Sequence, residues 1–112
     1  MEVKNGFLLK PYKFVDRNSY PYALYPDTYK HIKIQHCIED PIVFIQSVFD
    51  KTFAIFESKR LKNVYLYYGI RGNVLYRVVV VDIIDRKIKT AYNSDVIKEG
   101  DLKWINKKSL LR

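Results

Sequence analysis

The alternation of apolar and polar positions predicts one clear helix in the first half of the chain. Asp40 is a good N-cap residue, and Pro41 suits the first position of a helix. The next apolar residues recur at the spacing of one helix face: Ile42, Ile45, Val48 and Phe49. We therefore predict a helix over residues 41–51, with an apolar stripe that requires a sheet to cover it.

The segment after this helix is rich in β-branched and aromatic residues, which are typical of strands. It divides into four predicted strands, at residues 53–56, 64–70, 74–84 and 87–92. The linkers between them are too short for crossovers, so consecutive strands must pair antiparallel. The expected fold class is α+β, with an N-terminal helical region packed on one face of a four-stranded or larger antiparallel sheet meander. The other face is expected to stay open to water or to a ligand.

The first third of the chain carries weaker signals. Residues 6–15 are apolar and aromatic, but Pro11 limits them to an edge strand or a packed arm. Residues 16–28 hold two prolines and several tyrosines, which predicts an ordered loop. Residues 29–37 fit a strand or a short helix, because their apolar positions are compatible with both periods.

With 112 residues, of which 48% are hydrophobic and 29% charged, the chain is expected to form a single domain over residues 1–112. Residues 1–28 would be an aromatic and proline-rich arm, and residues 29–104 the core. After residue 96 we expect a turn and then a packed or frayed end that carries Trp104.

The single cysteine, Cys37, excludes an internal disulfide and a site built from several thiolates. No apolar run approaches the roughly 20 residues of a membrane span, and no secretory leader is visible. We therefore expect no membrane partner and a cytoplasmic location.

The charge distribution points to a polyanionic partner. The net charge is +8 overall. Residues 1–56 hold seven basic and six acidic side chains, a net of +1, whereas residues 57–112 hold thirteen and six, a net of +7. Such a concentration favours nucleic acid over a membrane surface, although charge also serves solubility. Ten tyrosines add rings on which bases could stack, but tyrosine is also an ordinary strand residue.

The chain lacks a glycine-rich phosphate loop, a His-Glu-x-x-His motif and a nucleophile elbow, and no cofactor is expected. His31 and His36 are five residues apart, which places them on different faces of a helix or a strand, so no metal site is expected. One histidine with Lys, Arg, Thr and Tyr can nevertheless cleave RNA. The histidine moves protons at the 2′-hydroxyl, and the other groups meet charge on the phosphate.

Several basic residues are candidates for phosphate binding. Arg77 lies inside an apolar strand, where its charge is costly unless it reaches water or an anion. Lys59, Arg60 and Lys62 form either a solvated turn or a loop that contacts phosphate. On the last predicted strand, Thr90 and Tyr92 share a face with Ile88, where they are ordinary strand residues or part of a site.

The order of short motifs resembles that of a known nuclease group. His31-Ile32 and His36 precede the Asp40-Pro41 helix start. After this helix the sequence continues with a Val-Val-Val-Val-Asp strand at residues 78–82 and with Thr90-Ala91-Tyr92. Over about residues 29–104 this order resembles the barnase–EndoU–colicin–RelE-like group of small nucleases, especially members found in phages and mobile elements.

The resemblance implies a helical part on an antiparallel sheet and a metal-independent, toxin-like ribonuclease with an acidic antitoxin or immunity protein as partner. It gives His31 the general acid or base role and places Thr90 and Tyr92 in the site. His36 is a second catalytic candidate, although this chain departs from the group here: members often have His-Pro-Glu where it has His36-Cys37-Ile38-Glu39. The leading hypothesis is an endoribonuclease that uses His-assisted attack of the 2′-hydroxyl. The alternatives are a non-catalytic nucleic-acid-binding module and a protein-interaction or inhibitor domain.

Overall fold

The computed structural model describes residues 3–71, 75–98 and 100–105. Its elements follow in chain order: β1 (Val3–Lys4), β2 (Phe7–Leu8), β3 (Tyr12–Val15), β4 (Pro21–Leu24), α1 (Pro26–Gln35), α2 (Pro41–Asp50), β5 (Thr52–Ser58), β6 (Val64–Arg71), β7 (Leu75–Asp82), β8 (Lys87–Ser94) and β9 (Gly100–Ile105). Of the linker predicted at residues 71–73, residue 71 belongs to β6. Residues 72–73 and the predicted start of a strand at residue 74 lie outside the described residues.

The fold class is α+β, as expected, and its main layer is a seven-stranded sheet in the order β3-β4-β8-β7-β6-β5-β9. The predicted meander is confirmed, since β5, β6, β7 and β8 pair antiparallel with their neighbours in sequence. The prediction of a purely antiparallel sheet was wrong. β4 runs parallel to β8, where the two strands pair through Ala23 and Lys87.

The N-terminal region consists of strands before it becomes helical, which corrects the expected order. β1 and β2 form a hairpin, and β3 pairs antiparallel with β4 at one edge of the main sheet. The loop predicted for residues 16–28 therefore contains a strand and the start of α1. Tyr22 and Leu24 are buried at alternate positions of β4, but four residues between two prolines are too short a window to show that alternation in sequence.

The two helices pack on one face of the sheet. In α1, which resolves the ambiguous segment 29–37 as a helix, Tyr29 and Ile32 are buried. In α2, which ends one residue earlier than predicted, the Asp40 side chain accepts a hydrogen bond from the Val43 N–H at 3.2 Å. All four residues of the predicted apolar stripe of α2 are buried. The prediction of this helix and its core-facing side is confirmed.

Each face of the sheet carries its own apolar cluster. The helix side holds the larger cluster, which includes buried residues from α2 and the sheet such as Ile45, Tyr67 and Val79. The opposite side holds a smaller one: Val64, Leu66, Tyr68, Val78 and Val80, with Ile97 packed against it. The second face is therefore partly covered, and only a portion of it remains open.

The C-terminal segment adds a strand where a turn and a packed or frayed end were expected. β9 pairs antiparallel with β5, and Trp104 is half-buried opposite Ile55. Residue 99 and residues 106–112 lie outside the described part of the chain. The sheet thus extends beyond the predicted meander at both edges.

A bulge in β8 changes which side chains share a face. Val80 pairs with Thr90, but Val81 pairs with Ile88, so Lys89 has no partner on β7. Ile88 therefore packs into the helix-side core, whereas Thr90 faces the other way. The prediction that these two residues share a face was wrong, because simple alternation does not hold across a bulge.

A buried hydrogen bond ties the β3–β4 turn to the centre of the sheet. The Tyr67 hydroxyl donates to Asp16 Oδ2 at 2.6 Å, and Asp16 Oδ1 accepts from the backbone N–H groups of Asn18 and Tyr20. Asp16 is only 5% exposed, so this carboxylate depends on these donors in place of water. This hydrogen bond holds the β3–β4 pair against β6.

We predict that Tyr67→Phe destabilises the protein by about 1–3 kcal/mol, because a buried carboxylate oxygen loses its donor. Burial, followed by the bond to Asp16, raises the pKa of Tyr67 above its ordinary value of 10. Above pH 10 the unfolded chain releases this proton and the folded chain keeps it, so stability should fall by about 1.4 kcal/mol per pH unit. Urea unfolding between pH 7 and 11 measures both effects. If the free energy of unfolding of Tyr67→Phe falls as steeply above pH 10 as that of the parent protein, this assignment is contradicted. Tyr25→Phe, at an exposed position, is the control.

Candidate active site

A groove of about 530 Å³ opens on the face of the sheet opposite the helices. Its apolar floor is formed by Val64, Leu66 and Val80. The polar and basic residues that line it are Ser58, Lys59, Arg60, Thr90, Tyr92 and Lys98. In the described part of the chain, none of the lining residues is acidic. Four residues singled out from sequence, Lys59, Arg60, Thr90 and Tyr92, therefore meet in one place.

The two histidines lie together beside Tyr92. The His31 and His36 ring centroids are 5.0 Å apart, and the His36 ring is 5.7 Å from that of Tyr92. The expectation that they lie on different faces was wrong, because α1 ends at Gln35. His36 is the C-cap residue, with φ −106° and ψ 5°, and so leaves the helical path on which the angular argument rested.

His36 is the better placed of the two as a proton acceptor. It is half-buried, whereas His31 is exposed. Burial lowers the pKa of His36, and the charges of His31 and Lys98 lower it further. A depressed pKa keeps the imidazole neutral to lower pH, and a neutral imidazole can accept a proton.

Lys98 belongs to the site, although sequence reasoning did not select it. Its ammonium Nζ lies 4.7 Å from the centre of the Tyr92 ring, a distance typical of a cation–π contact. Its backbone N–H donates to the Tyr68 hydroxyl at 3.0 Å, which fixes the segment after β8 over the sheet. Its place in the sequence, four residues after the end of β8, did not indicate which side chains it would meet.

Thr90 presents a polar atom that has no partner among the described residues. Its Oγ1 is buried and has no hydrogen-bond partner among the described residues. The side chain lines the groove on the same face as Tyr92. A buried hydroxyl without a partner is costly, so a ligand oxygen that accepts from it would be favoured here.

Two predicted phosphate-binding residues lie apart from the groove lining. Arg77 points to the helix side, where its Nη1 donates to Ser47 Oγ at 2.8 Å and its guanidinium lies 5.6 Å from the centre of the Phe44 ring. It pairs with Asn93 and not with Tyr92, which accounts for the opposite direction. Lys62 is exposed in the β5–β6 loop, near the groove but outside its lining.

Comparisons with known proteins assign no role to these residues, so their chemistry alone indicates what they can do. No protein-family model, no curated protein and no solved structure matches the chain. No helix in the described residues is long and apolar enough to cross a membrane. Within the same residues, no three or more His, Cys, Asp or Glu side chains cluster closely enough to hold a metal ion.

We predict that Lys98→Ala raises the pKa of His36, because the substitution removes a positive charge that disfavours the imidazolium. The chain has only two histidines, so NMR titration of the ring protons can follow both. Spectra of His36→Ala assign the remaining signal to His31. Lys13→Ala, an exposed lysine on edge strand β3, is the matched control and should leave the titration unchanged. An unshifted His36 in Lys98→Ala would remove Lys98 from the site.

Proposed function

We propose that the chain is a metal-independent endoribonuclease, of the toxin-like kind that the motif order resembles. The observation that carries the proposal is the contact between His31, His36 and Tyr92 at the border of a basic groove. Proton-transfer groups and fixed cations stand side by side there. This is the combination that phosphodiester cleavage through a neighbouring hydroxyl requires.

The cleavage step would use the two histidines in complementary roles. Neutral His36 accepts the proton of the ribose 2′-hydroxyl, and the 2′-oxygen forms a bond to phosphorus. The bond from phosphorus to the 5′-oxygen breaks, and a protonated His31 gives that oxygen its proton. The products are a 2′,3′-cyclic phosphate and a 5′-hydroxyl, so atoms and charge balance without an added reactant.

The groove residues would bind and stabilise the phosphate. Lys98, Lys59 and Arg60 supply positive charge towards the non-bridging oxygens, where charge develops in the transition state. The unpaired Thr90 hydroxyl donates to one of these oxygens. Tyr92, held from one side by Lys98, positions the phosphate against His36.

The same charge suggests the partners and the setting. Single-stranded RNA is the substrate class that a basic groove with aromatic rings fits. An acidic antitoxin or immunity protein would inhibit by covering this basic face, through charge complementarity. Such an enzyme would act on RNA in the cytoplasm.

We predict that His36→Ala lowers the cleavage rate by about 10²–10⁴-fold with RNA affinity nearly unchanged, as expected for a lost acid or base. The His31→Ala variant should show a loss of the same order. The assay is cleavage of a fluorogenic oligoribonucleotide in EDTA, with the cyclic phosphate identified by mass spectrometry. Lys13→Ala is the control for a charge change away from the site.

Other results of the cleavage and binding assays would favour one of the alternative functions or contradict the mechanism. Binding of RNA without cleavage by the parent protein favours the nucleic-acid-binding module. The absence of both favours a protein-interaction domain. Cleavage that survives in both histidine variants contradicts the mechanism.

We predict that Arg60→Ala weakens binding of a single-stranded RNA and makes its dependence on salt less steep. Each phosphate contact on a single strand contributes about 0.7 to the slope of log K against log salt, through counterion release. Loss of Arg60 should reduce the slope by about this amount, measured by fluorescence anisotropy between 50 and 200 mM salt. Lys13→Ala should leave the slope unchanged. A parent slope near zero would contradict phosphate binding altogether.

A further inference from the structure

A second pocket of about 360 Å³ lies on the helix side of the sheet, away from the histidines. Its lining consists mainly of aromatic rings contributed by three different strands and a turn: Tyr20, Tyr22, Tyr65, Tyr67 and Trp104. Binding pockets for small organic ligands begin at about this volume and are commonly lined in this way. Nothing in the proposed cleavage step uses this pocket.

The floor of the pocket is a buried chain of hydrogen bonds. Arg86 Nη1 donates to the Tyr22 hydroxyl at 3.4 Å, the hydroxyls of Tyr22 and Tyr67 are 3.2 Å apart, and Tyr67 donates to Asp16 at 2.6 Å. Because the Tyr67 proton goes to Asp16, Tyr22 is the donor between the two tyrosines. Tyr22 and Tyr67 are 1% and 3% exposed. The floor is thus polar, and its hydroxyl groups and carboxylate are hydrogen-bonded within the protein.

The mouth of the pocket is positively charged. The Arg86 guanidinium lies 4.7 Å from the centre of the Tyr20 ring. Arg17 is outside the lining, but its guanidinium lies 4.5 Å from the centre of the Trp104 ring, which lines the pocket. Lys103 adds a third cation, which forms an ion pair with Glu57 at 3.0 Å. The remaining carboxylate, Asp16, lies at the floor. An aromatic cage for a cationic ligand is therefore disfavoured, and an anion at the mouth is favoured.

We propose that this pocket binds one nucleotide, with the base stacked on Tyr65 and Trp104 and the phosphate held at the mouth by Arg86 and Arg17. Aromatic walls and stacked guanidinium groups are the features by which proteins hold unpaired bases. The volume of about 360 Å³ is large enough for a planar base, and the cations at the mouth would meet the phosphate. Asp16 repels an anion from the floor, which sets the direction of entry.

The position of the pocket suggests where the nucleotide comes from. The pocket is lined by Ile83 and Arg86 of the β7–β8 loop, and the catalytic groove by residues of the β5–β6 loop. The Ile83 N–H donates to the Asn63 carbonyl at 3.0 Å, so the two loops form one end of the sheet. A single RNA strand could cross this basic end and occupy both sites. This source depends on the proposed function, but nucleotide binding itself does not.

The only tryptophan of the chain, Trp104, reports on this pocket directly. Its fluorescence should be quenched in a saturable manner by nucleoside monophosphates, or by a 2′-O-methyl oligoribonucleotide that cannot be cleaved. Tyr65→Ala should weaken binding by about 5- to 150-fold, since one stacked base contributes about 1–3 kcal/mol. Arg86→Gln removes the charge at the mouth and should also weaken binding. Tyr25→Ala, an exposed tyrosine outside the pocket, is the matched control.

The possible outcomes separate the two proposals. Quenching by the monophosphates identifies a free-nucleotide site, and quenching by the oligonucleotide alone identifies a subsite for an RNA strand. No quenching by either ligand, or full quenching in both folded variants, overturns the proposal. Circular dichroism shows whether Tyr65→Ala is folded, and Arg86→Gln provides the test if it is not. His36→Ala should retain quenching, so a protein that quenches without cleaving RNA contradicts only the enzymatic function.

Discussion

The bulge between β7 and β8 is the constraint on which the arrangement of both faces depends. It leaves Lys89 without a cross-strand partner, so Ile88 enters the helix-side core while Thr90 and Tyr92 face the groove. Without the extra residue, Ile88 and Thr90 would lie on one face, and either the core would lose an apolar residue or the groove would lose its hydroxyl. One unpaired backbone position thus allows a single strand to give apolar residues to the core and polar residues to the groove.

The edge of β8 then determines where the histidines lie. β4 pairs with β8 through Ala23 and Lys87, near the start of β8. α1 packs against β8 as well, and its end brings His36 next to Tyr92. The short β3–β4 pair, anchored by Asp16 on Tyr67, leads the chain into this helix. β3 and β4 therefore belong to the same sheet as the strands that line the groove.

The groove and the pocket on the helix side are both basic, but the groups next to their positive charges differ. In the groove, Lys98 and Arg60 have no acidic residue beside them among the described lining residues, which suits contact with a phosphate. On the helix side, the Asp16 carboxylate is buried beneath Arg86 and is linked to it through two tyrosine hydroxyls. That chain satisfies the buried hydroxyl groups and the carboxylate within the protein, so they need no water or ligand as partners.

The sequence by itself determined the elements whose signals are local. The Asp40-Pro41 start and the stripe with Ile45 defined α2, and the β-branched segments with short linkers determined the antiparallel meander. The concentration of basic residues in the second half was equally visible. Only the tertiary structure decided that Pro21–Leu24 is a strand, that Arg77 points away from the groove and that Lys98 faces Tyr92. These features depend on long-range pairing, on one bulge and on the residue at which α1 ends, and each moves a side chain to another face without a change in local composition.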